Sequence, residues 1–314
     1  MHMRIYRMPC MLKRGINMIE KIAKLKKEKN AVILAHFYQP DEIQAIADFV
    51  GDSLDLSRKA ANCDADIIIF CGVHFMAGSA KILSPEKTVM IPEMNAGCLM
   101  ADMVTAEDIK RLRAEHPDAA VVAYVNSSVE VKAECDICCT SSNAIKIVNS
   151  LPNDEIIFVP DKNLGSYVAQ FTDKKVILFS GYCPVHDRIT VADVEKARAA
   201  HPGVEILVHP ECPADVVAAA DFAGSTAQII DYASASDKKE FVIGTEHGVL
   251  YPLEKKNPDK KFYMLAENFT CRDMKKIEIA DVLECLETGK NEIIIDEEIR
   301  KKAANSLFRM LEVK

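Results

Sequence analysis

The sequence predicts an α/β fold: three homologous αβα sandwich domains with small parallel sheets, in pseudo-threefold arrangement around a central active site. Three observations carry that expectation. Short runs rich in β-branched and other apolar residues alternate with helix-like segments, the pattern of βαβ units whose strands are buried on both faces. The runs fall into three sets of four that recur along the chain. The cysteines following the fourth run of each set, Cys98, Cys183 and Cys271, are almost evenly spaced.

Taken in order, the first set is AVILAHF (31–37), DFVGDS (48–53), DIIIFCG (66–72) and TVMIPEM (88–94). The second is AVVAYVN (120–126), DICCTSS (136–142), EIIFVPD (155–161) and KVILFSG (175–181). The third is VEILVHP (204–210), DFAGST (221–226), EFVIGTE (240–246) and KFYMLAE (261–267). Intervening stretches such as DEIQAIADFV, VEKARAAH and STAQIIDYASA read as helices, which implies right-handed crossovers. DFVGDS returns as DFAGST, and the intervals His36 to Ser53, Asn126 to Ser141 and His209 to Ser225 are nearly equal. These matches place the units at 18–104, 105–190 and 191–275. MIEKIAKLKKEKN (18–30) reads as a basic amphipathic first helix, with 1–17 an extension ahead of a natural start at Met18. RDMKKIEIADVLECL reads as a charged helix after Cys271, and 276–314 are expected to pack back on the first unit.

Composition narrows the function. Forty-seven acidic against 39 basic residues give a net charge of −8 with no long basic patch, which argues against nucleic-acid binding. No stretch approaches the ~20 apolar residues of a membrane span. The N-terminus MHMRIYRMPCMLKRG lacks a signal peptide's apolar core, so the expected location is the cytoplasm. Eleven cysteines in such a chain are reduced thiols rather than a disulfide framework. Cys63, Cys71, Cys212 and Cys285 are expected to pack. The C-x-x-C formed by Cys135 and Cys138 lies ahead of a helix opening, within a strand-like run, and fits a redox pair poorly. His116 and His201, in HP dipeptides, read as helix ends.

Ligands of open parallel sheets bind beyond the carboxyl ends of the strands. The first strands lead into His36 and Tyr38, Tyr124 and Asn126, and His209 and Glu211. The second lead into Ser53, Ser141 and Ser225–Thr226, each expected to open a helix as a cap or as part of an anion site. Recurrence in all three units favours ligand contact. The fourth strands deliver the three thiols. Three convergent thiolates suit zinc with a bound water, or a [4Fe–4S] cluster with one iron free to act as a Lewis acid, and spacing does not choose between them. Glu211 is a candidate general base whose pKa desolvation is expected to raise. His36 and Tyr38 are candidate donors to an oxyanion, and His186 is a supporting residue.

HFYQP (36–40), GDSLDLSRKA (51–60), AYVNSS (123–128), CTSSNA (139–144), FVPDKNLG (158–165), CPVH (183–186), HPEC (209–212) and GST (224–226) resemble the quinolinate synthase family. The resemblance runs from about residue 30 to about residue 275. It implies condensation of iminoaspartate with dihydroxyacetone phosphate to quinolinate, in coupling with an aspartate-oxidising enzyme. It also implies one [4Fe–4S] cluster per chain, held by Cys98, Cys183 and Cys271, which favours the cluster over zinc. Substrate contacts carried over by motif are His36, Ser53, Tyr124, Val125, Asn126, Ser141, His209, Pro210, Glu211 and Thr226, with Glu211, Tyr38 and His36 catalytic. Two departures stand out. Phe37 occupies a position that is Asn in many relatives, and ENFTC offers Cys271 alone where some relatives carry C-x-x-C-x-x-C. The alternative expectation is a metal- or cluster-dependent hydro-lyase acting on another small anionic acid.

Overall fold

Three four-stranded, all-parallel sheets form the frame of the computed structural model, which describes residues 10–313. The first contains β1 (Ala31–His36), β2 (Phe49–Gly51), β3 (Ile67–Cys71) and β4 (Thr88–Met90). The second contains β5 (Ala120–Tyr124), β6 (Ile137–Cys139), β7 (Glu155–Val159) and β8 (Lys175–Leu178). The third contains β9 (Glu205–Val208), β10 (Phe222–Ala223), β11 (Glu240–Gly244) and β12 (Lys261–Met264). Their orders are β2-β1-β3-β4, β6-β5-β7-β8 and β10-β9-β11-β12, one topology used three times. Each strand falls within a run marked by the sequence. The central strands read as unbroken apolar runs because both faces are covered: Ile33, Leu34, Val121, Val122, Ile206 and Leu207 are fully buried.

The likeness of the three units extends to side chains. The aspartate that opens each second run clasps the first strand: Oδ2 of Asp48, Asp136 and Asp221 accepts from the N–H of Ile33, Val121 and Ile206 at 2.8, 2.7 and 2.8 Å. Each pairs with a base on the helix ahead of the first strand, Lys26 at 2.5 Å, Arg113 at 2.9 Å and Arg198 at 3.1 Å. Ahead of each fourth strand a lysine, Lys87, Lys174 or Lys260, donates to two carbonyls where a helix ends and its loop begins. These bonds satisfy backbone groups where the helix-to-strand loops would otherwise leave them unpaired.

Several boundaries differ from the sequence reading. The first helix runs Cys10–Glu28, so it begins well before Met18, and of the expected extension 1–17 the residues 1–9 lie outside those described. The stretch after Cys271 is not one helix. A 3₁₀ turn, Asp273–Lys275, precedes a helix at Ile279–Thr288, because Glu278 and Asp281 form a capping box that starts a new helix. That helix lies against the first helix and β3. The last helix, Glu297–Glu312, instead lies chiefly against the helix Val129–Glu134 and β6, and also against the helix His74–Leu83. The terminal segment is therefore shared between the first and second units rather than returning to the first alone. Ser306 on the last helix fixes this contact by donating to Lys132 O at 2.9 Å. His116 and His201 end their helices. Among the described residues no helix is long and apolar enough to cross a membrane.

Candidate active site

The carboxyl ends of the three sheets meet. Ser142 Oγ donates to Asp52 Oδ2 at 2.6 Å and lies 2.8 Å from Ser225 Oγ, so one residue near each second-strand tip joins a hydrogen-bonded centre. Beside it, with Asp52 in its wall, lies a cavity of about 70 Å³. The first strands contribute His36, Tyr38, Tyr124, Asn126, His209 and Glu211 to its wall. The second-strand tips contribute Ser53, Ser141 and Thr226, and the fourth-strand loops contribute Cys98, Cys183 and Cys271. Val125 and Pro210 are buried behind this wall and do not line the cavity.

The serine positions divide by role. Asp52 caps its helix, accepting from Leu54 N and Asp55 N, and Ser225 Oγ accepts from Gln228 N. Capping thus falls to the preceding residue, and Ser53 and Thr226 line the cavity. Ser141 does not open a helix. Its helix begins at Ala144, after a turn in which Asn143 Oδ1 accepts from Thr140 N at 2.7 Å.

A continuous hydrogen-bonded chain crosses the site. Tyr124 Oη donates to Glu211 Oε1 at 2.7 Å, and Glu211 Oε2 lies 2.9 Å from His186 Nδ1. His186 Nε2 meets Thr245 Oγ1 at 3.0 Å, and Tyr38 Oη lies 2.7 Å from both Thr245 Oγ1 and Thr226 Oγ1. The loop carrying Tyr124 and Asn126 is braced from behind by the buried Lys132, which donates to Ser127 O, while Ser127 Oγ donates to Tyr124 O at 3.0 Å.

Electrostatics correct one expectation. Burial alone would push the Glu211 carboxyl up. The imidazoles of His209 and His186, with hydrogen bonds from His186 and Tyr124, outweigh burial and hold it below the usual carboxylate range. Glu211 is therefore an ionised acceptor at neutral pH, not a carboxyl raised toward 7. Burial, then the Glu211 charge, pushes Tyr38 and Tyr124 well above 10, so both phenols keep their protons. Burial lowers His36 to about 3 and His209 to about 4, so both rings are neutral. Nδ1 of His36 accepts from Tyr38 N, and Nδ1 of His209 from Glu211 N, which leaves Nε2–H as the donor of each ring.

The thiol loops are pinned unequally. Asp161 follows β7, caps the next helix through Leu164 N, and accepts from Cys183 N at 3.1 Å. Glu246 follows β11, accepts from Gly248 N, and accepts from Cys271 N at 3.1 Å. Lys275 ties Glu246 to the Tyr38 backbone, at 3.1 Å from the carboxylate and 2.5 Å from Tyr38 O. The equivalent cap in the first unit is Val73, and there the loop is held by His74 N donating to Ala96 O at 2.7 Å. Burial raises Cys98 to about 12 and Cys271 to about 11, and pushes Cys183 well above the ordinary thiol value. Among the described residues, Cys183 Sγ, His186 Nδ1 or Nε2 and a Glu211 oxygen form a group of possible metal ligands within 4.8 Å of one another, and the three thiols do not form such a group. The site therefore holds side chains compatible with metal binding.

The family model described as "NadA: Quinolinate synthetase A protein" matches residues 20–312. The chain belongs to the quinolinate synthase family. The quinolinate synthase of Alkaliphilus metalliredigens is 56% identical over 299 residues, covering 95% of this chain and 99% of that protein. That of Caldicellulosiruptor bescii is 55% identical over 294 residues, covering 93% and 97%. Quinolinate synthase 2 of Methanosarcina acetivorans is 53% identical over 294 residues, covering 94% and 95%.

Within this quinolinate synthase fold, sequence reasoning missed Asp161, Glu246 and Thr245. The signal was present in FVPD and IGTE, where a carboxylate follows the third strand of the second and third units at matching places in the repeat.

Proposed function

We propose that the chain condenses iminoaspartate with dihydroxyacetone phosphate, forming quinolinate, phosphate and water in de novo NAD biosynthesis. One observation carries this reading. A buried, ionised Glu211 and a protonated Tyr38 line one cavity that three thiols from three different sheets also line. The first substrate is a reactive imine, so a reaction that oxidises aspartate must supply it.

The thiols suit an iron–sulfur cluster better than a single ion. One zinc with ~2.3 Å bonds to sulfur cannot join thiols more than ~4.6 Å apart, whereas a four-iron cluster spans more. Cys98, Cys183 and Cys271 would hold it, and when bound it supplies a Lewis-acidic iron. The chain's own groups do the rest. Tyr38, held by Thr226 and Thr245, donates a proton at Oη, and Glu211 accepts one at a carboxylate oxygen. The Nε2–H groups of His36 and His209, with the Ser53 and Thr226 hydroxyls, bind anionic oxygens. The buried Asn126 Oδ1 has no hydrogen-bond partner, which supports a substrate donor in that place.

The test is anaerobic purification, iron and sulfide quantitation per chain, and detection of quinolinate by mass spectrometry from the two substrates. Fully loaded protein that makes no quinolinate would end the assignment. Product formed by iron-free protein would remove the cluster from it.

A further inference from the structure

We infer that the cluster-free protein binds a single zinc ion at Cys183, His186 and Glu211. Two of the three contacts are already close: His186 Nδ1 lies 3.2 Å from Cys183 Sγ and 2.9 Å from Glu211 Oε2, within a group spanning no more than 4.8 Å. A tetrahedral zinc, with bonds of ~2.3 Å to sulfur and ~2.0–2.2 Å to nitrogen and oxygen, needs ligand atoms ~3–4 Å apart. The group reaches that spacing by side-chain movements of a fraction of an ångström to about one ångström.

The surroundings are also those of a zinc site. His186 Nε2 is engaged by Thr245 Oγ1 at 3.0 Å, which turns Nδ1 toward the ion, and Tyr124 steadies the other Glu211 oxygen at 2.7 Å. His186 and Glu211 are almost fully buried, so competing water is scarce, and the cavity leaves a fourth position for one water. On binding, zinc replaces two protons, that of the Cys183 thiol, which leaves to solvent, and that on His186 Nδ1, which the neutral ring carries on Nε2 instead, donating there to Thr245 Oγ1. The ion occupies one proposed cluster ligand and the proposed base together. Zinc-loaded and cluster-loaded forms exclude one another, a consequence that rests on the cluster assignment above. The zinc site itself does not.

The experiment uses reduced, chelator-treated, full-length protein under argon, titrated with Zn²⁺ against a competing chelator, with bound metal counted by mass spectrometry. Wild type and Cys98→Ala are expected to bind one zinc with equal affinity. His186→Ala should lose affinity by more than the ~10–100-fold typical of a supporting residue. Loss in Cys98→Ala with retention in His186→Ala would place the ion on the thiols and overturn the inference, as would the absence of any bound zinc. A second measurement avoids variants altogether. Co²⁺ in the wild-type site should show thiolate-to-metal charge transfer of one sulfur, and three-sulfur intensity would overturn it. Neither experiment needs substrate or cluster, so failure here leaves the quinolinate reading standing. Zinc bound before reconstitution should block iron uptake, and a chelator should restore it.

Discussion

The Tyr124 hydroxyl donates to Glu211 Oε1 at 2.7 Å, joining first-strand tips 87 residues apart and two of the three sheets. Its removal in Tyr124→Phe costs ~1.5–3 kcal/mol, the range for a hydrogen bond to a charged group. That corresponds to an expected fall in kcat/KM of about 10–100-fold. Glu211→Gln should lose more turnover while retaining iron, because shape survives and the proton acceptor does not. Steady-state kinetics beside iron analysis checks both, and near-normal turnover of Glu211→Gln refutes its role.

Cys98→Ala, Cys183→Ala and Cys271→Ala should each abolish the brown absorbance of an iron–sulfur cluster and the activity with it. Iron and sulfide per chain is the deciding measurement. Full loading in any one variant removes that thiol from the ligand set.

Asp161 and Glu246 each hold the amide of a cysteine, while Val73 fills the same place in the first unit. Asp161→Ala and Glu246→Ala should speed iron loss to a chelator, Asp161→Asn should restore much of the retention, and Val73→Ala should leave the rate unchanged. The chelation time course reads this, and equal rates throughout would show that the carboxylates do not position the thiols.

Asp48, Asp136 and Asp221 make the same clasp in three sheets. Each replaced by Ala should cost about 1–3 kcal/mol through the unpaired N–H and lost ion pair. The expected drop in melting temperature is about 2–10 °C. Similar values for all three follow from the repeat, and a neutral result at any one would break the equivalence.

His36 and His209 stay neutral in the fold down to about 3 and about 4, against 6.5 for the free side chain. Below 6.5 the unfolded chain takes up protons that the folded chain refuses, so stability must fall as pH drops toward 4. Glu211, held low, adds a further loss below the ordinary carboxylate range. Denaturant unfolding of cluster-free protein between pH 7 and 4 measures the slope, which His209→Gln should reduce. A flat profile contradicts the buried neutral rings.

The sheets were legible because strands such as β1, β5 and β9 are covered on both faces and so read as unbroken apolar runs. Most residues that line the cavity were legible for a related reason, since they follow those strands at repeated places. Asp161, Glu246 and Thr245 escaped because they follow third strands and do their work through backbone amides and hydroxyls, which leave no compositional trace. His209, two residues from Glu211, was visible in the chain, but the direction of the Glu211 shift was not, because it also depends on His186 and Tyr124, which the chain brings in from distant segments. The placement of the last helix also lay beyond periodicity, which marks an apolar face without naming its partner.

The centre where Ser142 meets Asp52 and Ser225 has a further meaning. No third of the polypeptide owns any workable fraction of the machinery, since every ring around the axis takes members from separate stretches. A cut that lets one sheet drift should therefore silence a molecule completely rather than dim it, and a partly digested sample should behave as a mixture of fully working and wholly dead copies.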